Sequence, residues 1–340
     1  MTTPYEGLPS SQFHSRTIRG RHPSRFDPVV KTRFKLDKTT KIMTMGSCFA
    51  QHLSRWLMDH GFNLLLRETE SQGGGLFSAN YGNVYTVRQA LQLHDRAFGN
   101  WRANEQLYQN ADGRFFDPLR PSAVIDGFDS TQAALADREA HEVHVRDLFG
   151  NAQLLVFTLG LTEAWIRNED GAVLPVAPGV VAGAYEPEQY SFRNFSYDEV
   201  LGDLRLLLAR LAAVNPSCNV LLTVSPVPLA ATYVDRHVSV SSMASKAILR
   251  AVVEAILTEF PNVDYFPSLE VFFTPGIGGA YFDYDARHVL PGGVAHAMRL
   301  FESHYTSAQD RTRKPEELLQ YASKIRVDYM NVNCDEGKIG

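Results

Sequence analysis

The chain has 340 residues, of which 44% are hydrophobic and 21% charged, so it can bury a large core and predicts one large or two modest globular domains. A net charge of -5 argues against a broad surface for nucleic acid or for an anionic membrane. Three scattered cysteines are too few for a disulfide framework or a thiolate zinc site, which favours a reducing compartment. Without a membrane-length apolar stretch or a secretory signal, the sequence predicts a soluble, cytoplasmic protein.

Residues 1–38 predict an extended N-terminal arm with little regular structure, because prolines recur among Ser, Thr and Arg residues. The arm is basic, and its cationic side chains are Arg16, Arg19, Arg21, Arg25, Lys31, Arg33 and Lys35. We expect it to pack on, or pair with, an acidic body. A phosphorylated or polyanionic ligand is the less favoured alternative.

The first strand and helix meet at Gly46 and Ser47. The apolar run before Gly46 predicts a short buried strand, and Phe49, Leu53 and Trp56 recur at helical spacing. Ser47 is therefore expected at a helix N-terminus, where free backbone N–H groups and the helix dipole favour an oxyanion. Serine is also a common N-cap residue without any chemical role, so position alone does not decide between a nucleophile and a cap.

Later segments continue the alternation of strands and helices. Strands are predicted at residues 62–66, 153–160, 219–224 and 263–266, a hairpin at 166–181, and helices at 84–98, 131–149, 241–260 and from Pro291 onward. Ser196 and Glu199 form a capping box before a further helix. This pattern predicts a doubly wound α/β sheet of about five strands, with helices on both faces. The domain would span 39–310, with an irregular cap within about 85–150 and a C-terminal helix and tail at 311–340.

A loop rich in glycine and asparagine covers residues 73–83. Its backbone N–H groups and side-chain amides can converge on a ligand, although a plain flexible connector is the usual meaning of such a loop. It lacks the Gly-Lys-Ser/Thr ending of a phosphate-binding P-loop. Because ligands bind beyond the carboxyl ends of parallel strands, we expect Ser47, Gly82, Gly160, Glu163 and Ser225 at one edge of the sheet.

Asp285 precedes His288 by three residues and gives the only such Asp-x-x-His spacing in the chain. A turn can bring this carboxylate to Nδ1–H of the imidazole, which fixes the tautomer while Nε2 takes a proton from a hydroxyl group. Asp283 is the competing carboxylate. Taken alone the pair is weak evidence, since exposed Asp–His pairs also arise by chance, but it supplies what a serine nucleophile requires.

The chain resembles the GSCFA family, which is named for the Gly-Ser-Cys-Phe-Ala motif found here at residues 46–50 and belongs with the SGNH or GDSL-like hydrolases. Further matching segments are 80–86 (NYGNVYT), 158–165 (TLGLTEAW), 222–229 (LTVSPVPL), Ser245-Lys246 and 265–268 (YFPS). The resemblance implies a flavodoxin-like three-layer fold, a serine nucleophile and a late Asp-x-x-His pair. It also implies action on acyl esters, often of carbohydrates.

One departure from the SGNH pattern concerns the oxyanion hole. SGNH enzymes usually place an asparagine after the glycine that corresponds to Gly160, whereas Leu161, Thr162 and Glu163 follow it here. Either Thr162 or an asparagine of the earlier loop, Asn80 or Asn83, would have to join the backbone N–H groups of Ser47 and Gly82. Loss of one oxyanion donor can cost roughly 3 kcal/mol of transition-state stabilisation.

Three functional hypotheses remain open. The first is an acetyl-esterase-like hydrolase or O-acyltransferase that acts on a carbohydrate or other polar acceptor through an acyl-Ser47 intermediate, with His288 as base and then acid and Asp285 as its orienter. The second is a non-catalytic module that binds a glycan or peptide with Glu163 and Trp165. The third makes Cys48 the nucleophile. No metal, organic cofactor, nucleic acid or membrane is required, and the oligomeric state is left open.

Overall fold

The structure is a computed structural model that describes residues 3–19, 23–68, 75–274 and 280–311. The start of the glycine-rich loop, the glycines at 276–279, Arg21, Cys334 and the C-terminal helix and tail after residue 311 lie outside the described residues. The helices are α1 (His14–Thr17), α2 (Ala50–Asp59), α3 (Val87–Ala97), α4 (Thr131–Asn151), α5 (Tyr197–Val214), α6 (Val238–Glu259), α7 (Ser268–Phe273) and α8 (Pro291–Tyr305). The strands are β1 (Ile42–Gly46), β2 (Tyr108–Gln109), β3 (Phe115–Phe116), β4 (Leu154–Leu159), β5 (Glu163–Arg167), β6 (Val173–Leu174), β7 (Tyr190–Asn194), β8 (Asn219–Val224) and β9 (Val263–Tyr265).

The central sheet is parallel, with strand order β1-β4-β8-β9. On the free edge of β1, Leu64 forms an isolated parallel bridge with Ile42. With that bridge counted as an edge strand, the order is the 2-1-3-4-5 order of flavodoxin-like folds. The predicted α/β fold class is confirmed.

The predicted strand at residues 62–66 is reduced to this single bridge, because another segment takes its place along β1. The backbone N–H of Thr44 donates to Ser78 Oγ at 2.9 Å, and the Tyr81 hydroxyl donates to the carbonyl oxygen of Thr44. The loop that follows the bridge therefore pairs with the second half of β1 and carries its own residues towards the end of that strand.

Two apolar layers enclose the sheet. On one face Met43, Met45 and Phe157 pack with side chains of α3 to α6, and on the other Ile42 and Val156 pack with α2, α7 and α8. Strands buried on both faces read as continuous apolar runs, which explains why β1, β4 and β8 were predictable. The capping box of α5 is confirmed, since Ser196 Oγ accepts from the Glu199 N–H and the Glu199 carboxylate accepts from the Ser196 N–H.

The predicted hairpin at 166–181 is part of a larger antiparallel sheet with order β6-β5-β7. It begins at Glu163, and its third strand, β7, was not predicted. Five residue pairs join β5 to β7, from Glu163 with Asn194 to Arg167 with Tyr190. This pairing is formed over a long loop, and a local sequence pattern carries no signal for it.

The N-terminal arm contains short helical turns and lies against the α/β domain. The Arg33 guanidinium donates to the carbonyl oxygens of Phe260 and Leu257, and the Arg33 N–H donates to Asp264. Within the described residues, no helix has the length and apolar character needed to cross a membrane. The same residues hold no cluster of His, Cys, Asp and Glu side chains that could bind a metal ion.

Candidate active site

Ser47 follows directly on β1, at the carboxyl edge of the sheet. Gly46 before it has a φ of +137°, and a Cβ atom at that position would lie 2.3 Å from the carbonyl oxygen of Thr158. Only glycine fits this close approach. The backbone N–H of Ser47 donates to the same oxygen at 3.0 Å, so Ser47 is still held by the sheet.

The prediction that α2 begins at Ser47 is wrong. The helix begins at Ala50, its N-cap is Phe49, and no side chain of the described residues caps it. The physical reason is the bond to Thr158, which keeps Ser47 in line with β1 and delays the helix by one turn, and the Ala50 N–H donates to Ser47 O at 2.8 Å. Ser47 is only 2% exposed, and its Oγ has no hydrogen-bond partner among the residues that the structure describes. An ordinary N-cap role for this serine is therefore wrong as well.

Two backbone segments lie against Ser47. The Val84 N–H donates to Gly46 O at 2.8 Å, and the N–H groups of Gly160 and Leu161 donate to Tyr85 O at 3.0 and 3.1 Å. The N–H groups of Ser47 and Gly160 are thus both engaged by carbonyl oxygens. The Ser47 N–H was expected to donate to the oxyanion, and in this structure it donates to the Thr158 carbonyl oxygen of the sheet.

Asn80 is tied to the cap rather than to the serine. Its side-chain amide donates to Ala123 O at 2.9 Å, its backbone N–H donates to Glu68 at 2.8 Å, and its carbonyl oxygen accepts from Arg120 at 3.3 Å. None of these contacts involves Ser47, and the Nδ2 group that an oxyanion would need is bonded to Ala123. Because Nδ2 carries a second N–H, the expected role of Asn80 as an oxyanion donor stays a prediction.

The anchor of Asn80 is a buried network of charges. Burial raises the pKa of Glu68, but its hydrogen bond with His141 and the N–H of Asn80 lower that pKa to about 2. Burial and the nearby Arg120 guanidinium lower the pKa of His141 to about 4. Arg120 in turn pairs with the buried carboxylate of Asp117. The loop beside Ser47 is thereby fixed to α4 and the cap.

Gly82 and Asn83 lie between Asn80 and the Val84 bond to β1. Gly82 has a φ of +68°, which favours glycine. Asn83 is 1% exposed, its Oδ1 accepts from Gln51 Nε2 at 3.4 Å, and its carbonyl oxygen accepts from Gln89 Nε2 at 2.9 Å. Gln51 lies in the first turn of α2, so Asn83 is positioned beside the segment that follows Ser47.

Thr162 and Glu163 come shortly after Gly160, and both are hydrogen-bonded to residues other than Ser47. The Thr162 N–H donates to Ser245 Oγ at 2.9 Å, and its hydroxyl donates to Asn194 Oδ1 at 2.7 Å. The Glu163 carboxylate accepts from Thr232 Oγ1 at 2.7 Å and from the Tyr233 N–H at 3.2 Å. Thr162 therefore secures β7 to the end of β4, and Glu163 holds the segment after β8.

A cavity of about 210 Å³ lies beside these residues and reaches Tyr85, whose carbonyl oxygen bonds Gly160. Glu163 and Thr232 line it together with aromatic rings. The Trp165 ring lies 4.9 Å from that of Tyr233, and Trp165 is, with Glu163, one of the two residues that the binding-module hypothesis named. The cavity combines flat apolar surfaces with a few polar groups, as in many small-molecule sites.

Asp285 and His288 lie at the tip of a short hairpin that is closed by a bridge between Phe282 and Val289. The Asp285 carboxylate contacts His288 Nδ1 and accepts the backbone N–H groups of His288 and Arg287 at 2.9 and 3.0 Å. Partial burial raises the pKa of Asp285, but these hydrogen bonds lower it to about 2. The competing carboxylate, Asp283, instead accepts from the Tyr284 N–H.

The structure does not bring Ser47 and His288 into contact. The His288 side chain is 68% exposed, whereas Ser47 is buried, and no hydrogen bond joins their side chains within the described residues. The expected catalytic set thus has two halves: Asp285 and His288 are in contact on their hairpin, and Ser47 lies at the edge of the sheet. In this conformation no hydrogen bond of the described residues links the two halves.

Comparison with protein families gives one match over most of this architecture. The model of the GSCFA family matches residues 41–301, a range that runs from β1 to α8 and includes Ser47, Gly160, Asp285 and His288. The chain belongs to the GSCFA family. A comparison with curated proteins finds no significant match to this GSCFA chain.

Among solved structures, the GSCFA chain is similar to an acetyl esterase variant crystallised with an acetate ion, at 12% identity and a TM-score of 0.35, covering 84% of this chain and 100% of that one. It is also similar to a carbohydrate esterase family 3 protein from Talaromyces cellulolyticus, at 11% identity, a TM-score of 0.35 and coverage of 84% and 99%. A family 3 carbohydrate esterase from Clostridium thermocellum gives 13% identity, a TM-score of 0.28 and coverage of 84% and 100%. Similarities this weak carry no functional inference.

Lys246 of this GSCFA protein belongs to the site, although the sequence suggested no role for it. It lies in α6, is 5% exposed, and donates from Nζ to Gly160 O at 2.6 Å. Gly160 is packed against Ser47, so the buried Lys246 contacts the residue that lies against the serine. The available signal was a lysine at helical spacing with the apolar residues Leu249 and Val253, which form the buried stripe of α6.

Proposed function

We propose that this protein is an acyl-ester hydrolase or O-acyltransferase that acts on a carbohydrate or other polar acceptor through an acyl-Ser47 intermediate. One observation carries the proposal: Ser47 Oγ is buried at the carboxyl edge of a parallel sheet and has no hydrogen-bond partner among the described residues. A buried polar group without a partner is costly, and such groups recur at functional sites. The carboxyl edge is also where α/β sheets bind ligands.

The reaction has two halves. Ser47 Oγ attacks the carbonyl carbon of the ester while His288 Nε2 takes the hydroxyl proton, and the tetrahedral intermediate expels the alcohol as His288 returns that proton to the leaving oxygen. Water or a second alcohol then attacks the acyl group, gives its proton to His288, and releases Ser47, which regains a proton from the imidazolium. Asp285, bonded at Nδ1, keeps Nε2 available throughout.

We assign hydrogen-bond donation to the oxyanion of the intermediate to Gly82 and Asn83. They follow the anchored Asn80 and precede the Val84 bond to Gly46, which supports their proximity to Ser47. The only hydroxyl donor of Thr162 is used by Asn194, which argues against Thr162, whereas Asn80 uses one of its two amide N–H groups for Ala123. The alcohol part of the ester is assigned to the cavity of Trp165, Tyr233 and Glu163, since aromatic faces beside polar groups suit a sugar-like acceptor.

A second candidate function is a binding module without turnover. The observation that favours it is the separation of a buried Ser47 from a largely exposed His288. Catalysis requires a conformation in which His288 Nε2 meets Ser47 Oγ, whereas binding in the Trp165 cavity does not.

Hydrolysis of an activated aryl ester separates the two functions. The purified protein is assayed beside Ser47→Ala and Cys48→Ala variants, with Cys48→Ala as the matched control because it alters the next residue in the same turn. Catalysis by Ser47 predicts activity that disappears in Ser47→Ala and persists in Cys48→Ala. Activity lost only in Cys48→Ala would transfer the nucleophile to the thiol, and no activity in the wild type would favour the binding module.

A further inference from the structure

A second, larger cavity of about 690 Å³ lies between α6, α7 and the hairpin that carries Asp285 and His288, called here the dyad hairpin. Its walls are mainly apolar and include Leu229, Met243, Phe272, Phe273 and Phe282. The volume falls within the range of roughly 300–1,000 Å³ that holds drug-sized ligands. An acetyl group would leave most of it empty.

Two apolar side chains at this cavity are exposed to solvent. Met243 is 58% exposed and Phe273 is 44% exposed, and they lie on α6 and α7. Exposed apolar groups that converge on a concavity mark a binding surface more often than scattered ones do. Methionine also adapts its shape to flexible apolar ligands.

The cavity adjoins parts of the candidate active site. Asp285 and Arg287 of the dyad hairpin line one part of it, and Lys246 lines another. Lys246 Nζ also bonds Gly160 O at 2.6 Å, and a Cβ on Gly160 would lie 3.1 Å from Ser47 Cβ. A chain in this cavity would contact both the hairpin that carries the dyad and Lys246, whose Nζ bonds the residue that packs on Ser47.

Leu229 lines both this cavity and the smaller one of Trp165 and Tyr233. The two spaces thus adjoin at one side chain. The smaller one is the more aromatic and carries Glu163 and Thr232, whereas the larger is mainly aliphatic and phenyl-lined. An ester has two such unequal parts, an alcohol and an acyl chain.

We propose that the larger cavity binds the acyl chain of the substrate, and that the acyl group is a medium or long aliphatic chain rather than acetyl. This proposal rests on the proposed function for the identity of its occupant. Each methylene buried in such a cavity strengthens binding about fourfold. An aliphatic carboxylate such as dodecanoate would therefore bind far more tightly than acetate.

The test measures binding without turnover. Dodecanoate and acetate are titrated by calorimetry into the Ser47→Ala protein and into two further variants, Met243→Glu and Val240→Glu, built on it. Val240 is the matched control, because it lies on the same helix and is 54% exposed but does not line the cavity. Phe273→Ser provides a second cavity variant, and circular dichroism checks that each variant is folded.

The expected result is binding of dodecanoate and not of acetate, weakened about tenfold or more by Met243→Glu and unchanged by Val240→Glu, since a charge is costly to place against an apolar ligand. Absence of dodecanoate binding, or equal weakening by both glutamates, overturns the proposal. A change of oligomeric state in Met243→Glu alone, with no dodecanoate binding, would assign the surface to a second copy of the chain and also overturn it.

Ester hydrolysis by the wild type distinguishes the two proposals. Ser47-dependent hydrolysis that favours acetyl over dodecanoyl esters overturns the acyl-chain cavity and leaves the proposed function intact. Dodecanoate binding without any Ser47-dependent hydrolysis supports the cavity and rejects the proposed function.

Discussion

Gly160 lies directly against Ser47: a Cβ atom on Gly160 would be 3.1 Å from Ser47 Cβ and 2.9 Å from the carbonyl oxygen of Tyr85. The end of β4 therefore leaves room for the serine only while residue 160 has no side chain. This contact explains how two glycines at the ends of neighbouring strands shape one site, since Gly46 meets Thr158 in the same way.

Gly160→Ala is expected to impair both stability and activity, because backbone atoms of Tyr85 must shift to admit the methyl group. Overpacking of this kind costs about 1–3 kcal/mol of unfolding free energy. Gly202→Ala is the control, since no described residue lies within 4 Å of a Cβ at that helical position. Alanine there should stabilise α5 by about 0.5–1 kcal/mol. Urea unfolding of both variants checks this, and an unaltered Gly160→Ala protein would contradict the packing described.

Lys246→Met is expected to lower the unfolding free energy by about 1–3 kcal/mol, because it removes the donor to the buried Gly160 carbonyl group. Esterase turnover should fall with it, since Gly160 packs against the nucleophile. Lys38→Met, at an exposed arm position, should change stability by no more than about 0.5 kcal/mol. Equal effects of the two substitutions would show that the Lys246 contact is unimportant.

Asp285→Asn and His288→Ala are expected to reduce kcat by about a hundredfold to ten-thousandfold, as removal of general acid–base catalysis does. Asp283→Asn is the matched control, because it alters the neighbouring carboxylate that does not contact the imidazole ring. It should retain nearly full kcat. Equal losses in all three variants would indicate a structural role for the hairpin rather than a catalytic dyad.

Stability should fall on acidification below neutral pH, because buried histidines have lowered pKa values. Burial, aided by a nearby arginine in each case, lowers the pKa of His52 to about 3 and the pKa values of His141 and His296 to about 4. Between pH of about 6.5 and 4, the unfolded chain binds protons that the native protein excludes. Each such group contributes a loss of about 1.4 kcal/mol of unfolding free energy per pH unit in that window.

His296 offers the cleanest test of this effect. Its ring nitrogens contact the Tyr281 hydroxyl at 2.8 Å and Phe26 O at 2.7 Å, so a neutral ring joins the arm to α8 and the dyad hairpin. His296→Gln should flatten the dependence of unfolding free energy on pH between pH of about 6.5 and 4. His14→Gln, at an exposed position, should leave it unchanged. An identical slope in wild type and His296→Gln would refute the account.

The layered fold was predictable because its strands are buried on both faces and its helices carry strong local signals, such as the Ser196 capping box. The start of α2 was not predictable, since it depends on the hydrogen bond between Ser47 N–H and Thr158 O across the sheet. The pairing of β5 with β7 depends likewise on contacts between residues far apart in the chain. The local periodicity of the sequence carries no information about the start of α2 or about this strand pairing.

For the site, the sequence indicated the serine, the dyad and the loop, because each is a short motif after a strand or within one turn. It could not choose among Asn80, Asn83 and Thr162 as oxyanion donors, since that depends on partners such as Ala123 and Asn194. It also could not foresee the separation of Ser47 from His288. The role of Ser47 as nucleophile stays a prediction.

Labelling with a fluorophosphonate, read by mass spectrometry, tests that prediction most directly. The account predicts one phosphonyl adduct on the peptide that contains Ser47, lost in Ser47→Ala and kept in Cys48→Ala. An adduct that persists in Ser47→Ala, or a wild-type protein that takes up no label, would contradict it.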